Sequence, residues 1–164
     1  MSYHIWVLYL HFSAPYCDRQ KNGHRPVCTS KATHMTKHSI TGKTVLIAGG
    51  AKNLGGLIAR DLAQHGAKTL VIHYHSAESE AAARATVQAV QQAGAQAFAF
   101  QADLTQPGAV ATVFDKTLQA TGGLAIAINT VGKVLQKPIA DTTDDEYDAM
   151  FAINTKVAFQ FIRE

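Results

Sequence analysis

From residue 43 onward, short apolar runs alternate with longer stretches in which apolar positions recur at helical spacing. Residues 43–48 (KTVLIA) are apolar, partly β-branched and end in glycines, which predicts a buried strand. Residues 54–65 carry Leu57, Ile58, Leu62 and several alanines at helical spacing and stop at Gly66, which predicts a helix. The same reading gives a strand over 68–74, an Ala-rich helix over 77–93 closed by Gly94, and a strand over 96–101. A helix follows with Pro107 in its first turn and runs to about residue 121. A fourth strand is predicted over 124–129, then a last helix capped by Thr142 or Thr143 that carries Tyr147, Met150 and Phe151 and continues to residue 164.

This β-α-β-α-β-α-β-α order predicts an α/β fold: a doubly wound parallel sheet in three layers, with helices on both faces and right-handed crossovers. No internal repeat of the solenoid kind is visible. Residues 1–38 show no sustained period, so a disordered N-terminal extension is expected over 1–38 and the folded portion over 39–164. Met35 begins a sequence suited to entering the first strand. Ile5–Phe12 is apolar except for His11, like a short signal core, but no basic residue precedes it and no small-x-small cleavage site follows.

Composition adjusts this picture only at the N-terminus. Of 164 residues, 47% are hydrophobic and 16% charged, which suits a globular domain of this length. The net charge of +3 is concentrated in residues 1–38, with five Lys/Arg against one acid; residues 39–164 carry ten against eleven. The folded portion therefore gives no electrostatic reason to expect nucleic acid or a membrane surface as partner. Both cysteines, Cys17 and Cys28, also lie before residue 38, which fits a reducing, cytoplasmic setting. No apolar run approaches the length of a membrane span. Cys17, His24, Cys28 and His34 match no common zinc spacing, so no metal site is expected there.

The chemistry begins after the first strand, at Ala48-Gly49-Gly50-Ala51-Lys52-Asn53-Leu54-Gly55-Gly56. Glycines let a backbone turn tightly and let a pyrophosphate approach without a Cβ in the way. The following helix start offers unpaired N–H groups and a positive dipole end. An ATPase-type phosphate loop does not fit. Gly42-Lys43-Thr44 precedes the strand instead of following it, and position 37 is Lys where a glycine is required.

The loop resembles the T-G-x-x-x-G-x-G loop of the short-chain dehydrogenase/reductase family, with Gly49 and Gly55 in its first and last glycine places. Ala48 stands where Thr is usual and Asn53 replaces the middle glycine. Asn best tolerates the left-handed conformation after glycine, so Asn53 is expected at positive φ. Three further pieces follow in the family's order. Asp103-Leu104-Thr105 follows the third strand, where the family places an acid near the adenine ring. Asn129-Thr130-Val131-Gly132 resembles its N-N-A-G, and Asn154-Thr155-Lys156-Val157 its N-x-x-G. The resemblance covers about residues 39–164 and implies a Rossmann-type sheet of strand order 3-2-1-4.

What the resemblance implies for function is an oxidoreductase that reduces a ketone or aldehyde, or oxidises an alcohol, with a nicotinamide dinucleotide, in a family usually homo-oligomeric. Gly49, Lys52, Asn53, Leu54, Gly55, His75, Ser76, Asp103, Leu104, Asn129, Val131 and Gly132 would bind the cofactor, and Asn154 would belong to the catalytic set. The second strand runs into His73-Tyr74-His75-Ser76 with no acid before Glu78, so nothing there repels a 2′-phosphate. Lys52 can meet that phosphate as a point charge, which favours NADP over NAD. The family's Tyr-x-x-x-Lys is missing from the chain: Tyr3, Tyr9, Tyr16, Tyr74 and Tyr147 are followed four places on by Val7, Ser13, Gln20, Glu78 and Phe151. The chain is therefore expected to be a truncated cofactor-binding portion, inactive alone. The alternatives are a non-enzymatic nucleotide-binding module and a gene remnant. Its fourth strand is expected to form an open edge, and apolar Phe151, Ile153, Val157, Phe159, Phe161 and Ile162 to cover more than one face of the last helix.

Overall fold

A computed structural model of the chain describes residues 8–11 and 39–164. Five strands are present among the described residues: β1 (Leu8–His11), β2 (Thr44–Ala48), β3 (Thr69–Tyr74), β4 (Gln96–Gln101) and β5 (Ile126–Asn129). They form one sheet in the order β1-β5-β2-β3-β4. β2, β3, β4 and β5 are mutually parallel, so the four strands expected from the sequence take the 3-2-1-4 order. The helices between them are α1 (Asn53–Gln64), α2 (Glu80–Gln92) and α3 (Ala109–Thr121). α4 (Asp144–Phe151) and α5 (Val157–Arg163) follow β5.

Alternating side chains on β2 explain the three layers. Val45 and Ile47 face one way with Leu70 and Ile72 of β3, against Ala59 and Ala63 of α1 and Val90 of α2. Leu46 and Ala48 face the other way with Val71, against Val110 and Val113 of α3 and Val157 and Phe161 of α5. Leu46, Ile47, Leu70 and Ile72 are fully buried, and each contributes about 1.5–3 kcal/mol by leaving water. Burial on both faces is why these strands read as continuous apolar runs.

Three expectations need correction. β5 is not an open edge, because β1 pairs with it antiparallel, Leu8 opposite Asn129 and His11 opposite Ile126. For the same reason Leu8–His11 is not unstructured, although it lies in the stretch expected to be a disordered extension. Its partner lies far along the chain, and local periodicity cannot reveal such a pairing. The third is that Pro107 precedes α3 instead of opening it. It stands in a turn in which Gln106 N–H reaches Asp103 O, and the helix starts after Gly108 at φ +75°.

The last helix is also interrupted. Between α4 and α5, Ala152–Lys156 forms a π-turn, an extra residue's worth of backbone that resets which side chains face the sheet. Val157 and Phe161 are buried, whereas Phe151, Phe159 and Ile162 remain exposed. Thr143 is the cap, and its reciprocal bonds with Glu146 form a capping box. No helix among the described residues is long and apolar enough to cross a membrane. The Cys17, His24, Cys28 and His34 set lies outside the described residues.

Candidate functional site

Parallel strands deliver their C-terminal ends to one rim of the sheet. Ala48, Tyr74, Gln101 and Asn129 end β2, β3, β4 and β5 there. The chain order reverses at β2, which has β3 on one side and β5 on the other. A crevice at such a reversal is where open α/β sheets bind ligands. The loops 49–52, 75–76, 102–105 and 130–133 leave the strands at that rim, and every candidate cofactor-binding residue lies on one of them or at its flank.

The glycine loop turns through two left-handed residues, Gly49 at φ +77° and Asn53 at φ +52°. Asn53 is the only non-glycine at positive φ among the described residues, as its place in the motif predicts. Gly49 and Gly55 are required by close approach. A Cβ on Gly49 would stand 2.9 Å from Thr130 Oγ1, and one on Gly55 would collide with the carbonyl oxygen of Gly49. Lys52 is exposed at the N-cap of α1, and no side chain among the described residues caps that helix. Its first turn contains no acid either, so the positive end of the helix is uncompensated. Leu54 is half-buried behind the loop.

Several residues fasten this loop that the sequence did not single out. Thr130 bonds the Ala48 carbonyl twice, through N–H at 2.9 Å and Oγ1 at 2.8 Å. The hydroxyl absent at position 48 is thus supplied across the strand pair, by Thr130. Thr86 of α2, buried, donates to the Ala51 carbonyl at 2.8 Å. His73 is buried, and its Nδ1 accepts from Gly49 N–H at 3.2 Å. A polar residue at an otherwise apolar strand end was the available signal for it.

The β3 rim holds His75, exposed, and Ser76, half-buried. Ser76 Oγ donates to Glu78 Oε2 at 2.5 Å. That bond, first among several causes, holds the Glu78 carboxyl below its ordinary pKa, and the charges of His75 and Lys52 act in the same direction. Glu78 is therefore within electrostatic reach of His75 and Lys52, although it lies beyond the end of β3 in sequence. His75 Nδ1 is 3.7 Å from Asp103 Oδ1. Asp103 accepts from the Thr105 hydroxyl at 2.6 Å, Thr105 N–H at 3.0 Å and the Gln106 amide at 3.0 Å, which keeps it ionised. The Leu104 side chain is buried against α3, so only its backbone faces the crevice.

On the β5 side, Asn129 Oδ1 accepts from Val131 N–H at 2.9 Å and shapes the turn through Val131 to Gly132. Asn154 sits in the π-turn. Its Oδ1 accepts from Lys133 N–H and its Nδ2 donates to Lys133 O, both at 2.9 Å. The side chain thus fastens the loop after β5 to the last helix. A Cβ on Gly132 would stand 3.1 Å from the same Oδ1, so glycine leaves Asn154 its room.

Comparison with known proteins agrees with this geometry. A family model described as short chain dehydrogenase matches residues 43–164. The hydroxynaphthalene reductase-like protein Arp2 of Metarhizium anisopliae is 36% identical over 124 residues, 76% of this chain and 45% of that protein. Versicolorin reductase 1 of Aspergillus parasiticus is 35% identical over 127 residues, 77% of this chain and 47% of that protein. A dehydrogenase from Burkholderia cenocepacia, solved with bound NADP, superposes with a TM-score of 0.76 at 59% identity, over 79% of this chain and 49% of its own. A blue fluorescent protein from a metagenomic library, in complex with NADPH, gives 0.71 at 31% identity over 76% and 50%. The chain spans about half the length of these relatives.

Proposed function

The chain belongs to the short-chain dehydrogenase family, and from that membership we propose that it forms the nicotinamide-dinucleotide-binding part of an oxidoreductase, with NADP(H) favoured over NAD(H). The observation that carries the reading is the glycine loop. Its two left-handed residues, Gly49 and Asn53, bring an uncapped helix start to the point where the strand order reverses. The residues fit the group: the first turn of α1 offers N–H donors to a pyrophosphate, and Lys52 stands at its N-cap to meet a 2′-phosphate. Asp103 and the Leu104 backbone would border the adenine, and Asn129, Val131 and Gly132 the ribose and nicotinamide side. Relatives of similar fold bind NADP and NADPH, which supports the same choice here.

A bound nicotinamide would supply or accept a hydride. This chain's residues would bind and orient it, and Asn154 would hold the wall of the loop after β5 through Lys133. Proton delivery to a carbonyl oxygen needs a group tuned for it, and no Tyr here has a Lys four places on. The whole protein would act on a small carbonyl or alcohol in the cytoplasm, whereas this chain alone binds without turnover. The second reading is a nucleotide-binding module with no enzymatic role.

Calorimetric titration of the full chain tests both. NADPH should bind more tightly than NADH, and Lys52→Glu should weaken or reverse the preference. Equal binding of the two overturns the preference, and binding of neither overturns the dinucleotide site. NADPH oxidation against a panel of ketones and aldehydes should stay at background. Turnover that disappears in Asn154→Ala would place the catalytic centre inside this chain. Activity restored by adding the C-terminal half of a relative favours the enzyme part over the binding module.

A further inference from the structure

The crevice contains one buried titratable group that the reading above does not use. His73 is 2% exposed at the end of β3. Its Nδ1 lies 3.2 Å from Gly49 N and accepts that amide's proton, so Nδ1 itself carries none. The other nitrogen, Nε2, lies 2.9 Å from the Ala102 carbonyl oxygen and must donate to it. The ring is therefore neutral, with its proton on Nε2. The His73 backbone carbonyl accepts from Gly50 N–H at 3.0 Å. One residue thus holds two consecutive amides of the glycine loop and the carbonyl that leads into Asp103.

Only the neutral ring can do this. A proton added at Nδ1 would point at the Gly49 N–H, donor against donor, and the positive Gly49 φ leaves that amide no other aim without moving the loop. We propose that His73 is a positioning residue for the cofactor: its neutral imidazole pins the glycine loop to the exit of β4, and acid releases the pin. The proposal rests on the crevice being a dinucleotide site.

Burial is the main cause that lowers the His73 pKa, with the Ala102 bond acting against it. The charged groups that act on the ring are His75 from its own strand end, which lowers it further, and Asp103 from the β4 exit, which raises it. The sign follows. The folded-state pKa lies below the ordinary 6.5, so the pinned form is complete above that value and is lost as pH falls through the lowered one. Cofactor affinity should be flat at neutral and alkaline pH and fall up to about tenfold per pH unit below the His73 transition.

The test is calorimetric titration of the full chain with NADP⁺ across that range, for wild type, His73→Asn and His73→Leu. Asn keeps an acceptor near Nδ1 and cannot titrate, so its affinity should hold at low pH where wild type loses it. Leu loses both ring bonds and should bind weakly at every pH. A 2′-phosphate titrates near pH ~6 itself, so the difference between variants carries the result. Superimposable profiles for wild type and His73→Asn overturn the proposal. Imidazole ¹⁵N NMR of the cofactor-free chain supplies the second measurement. An Nε2–H tautomer is expected, with the Gly49 amide shifting at the same midpoint as the ring. An Nδ1–H tautomer, or a Gly49 amide indifferent to that midpoint, overturns the pin. If NADP⁺ binds at no pH, the dinucleotide reading fails, and the NMR result decides the pin separately.

Discussion

Glu78 alters the cofactor rim more than its sequence position suggests. By number it lies beyond the second strand, yet it takes the Ser76 hydroxyl and shares a field with Lys52 and His75. Kept ionised, it would compete with a bound 2′-phosphate for the same donors. Glu78→Gln should tighten NADPH binding by about two- to fivefold, the range that an exposed charge pair commands, and leave NADH nearly unchanged. Equal tightening of both cofactors in a titration would remove Glu78 from the 2′-phosphate site. Asn53 makes a different prediction. At φ +52° it carries a backbone cost that glycine avoids and that a β-branched residue raises further. Asn53→Gly should melt within a degree or two of wild type, and Asn53→Val should lose about 1–2 kcal/mol in a denaturant titration. Asn53 was legible in advance because motif position and residue type agreed. His73 and Thr130 were not, since their roles depend on Gly49 and Ala48 lying beside them across the sheet.

Strands and helices over residues 43–151 were legible for a simple reason. Apolar runs and glycine stops mark β2, α1, β3, α2 and β4 within a residue or two of where they lie, apart from a short 3₁₀ turn, Ala77–Ser79, before α2. The π-turn was not legible, because Phe151, Ile153, Val157, Phe159, Phe161 and Ile162 fit no single face and gave no reason to choose one register. At the start of α4 the capping box and the 2.8 Å Lys137–Glu146 ion pair meet in one carboxylate. The Lys137 bond, then the Thr143 N–H, lower the Glu146 pKa from 4.5 to about 2. A carboxyl lowered on folding stabilises the folded form above its unfolded value and loses that contribution as pH falls toward the folded one. Protection of the α4 amides, taken relative to their intrinsic exchange rates, should therefore be high above pH 4.5 and fall as pH drops toward about 2, and Glu146→Gln should flatten the change. An exchange profile identical in the two proteins would mean that the pair does not hold the helix start.

At the scale of the whole molecule, β1 covers what would otherwise be the open edge of the sheet at β5, with four paired residues. Beside it, Phe114, Leu118, Leu124, Ala127, Phe161 and Ile162 line an apolar groove. Removing residues 1–34, so that the chain starts at Met35, should leave a paired strand's worth of N–H and C=O groups exposed next to that groove. The shortened chain should melt lower and scatter light at concentrations where the full chain stays clear; equal melting and equal clarity would show that β1 contributes nothing. The pairing also imposes a timetable. Leu8 must wait for Asn129, about 120 residues later, which at a ribosome's pace takes roughly 6 to 24 s. A nascent chain therefore carries β1 unmatched while the other described strands of the sheet are made, and β1 can pair only once β5 exists, closing the longest strand-to-strand loop among the described residues.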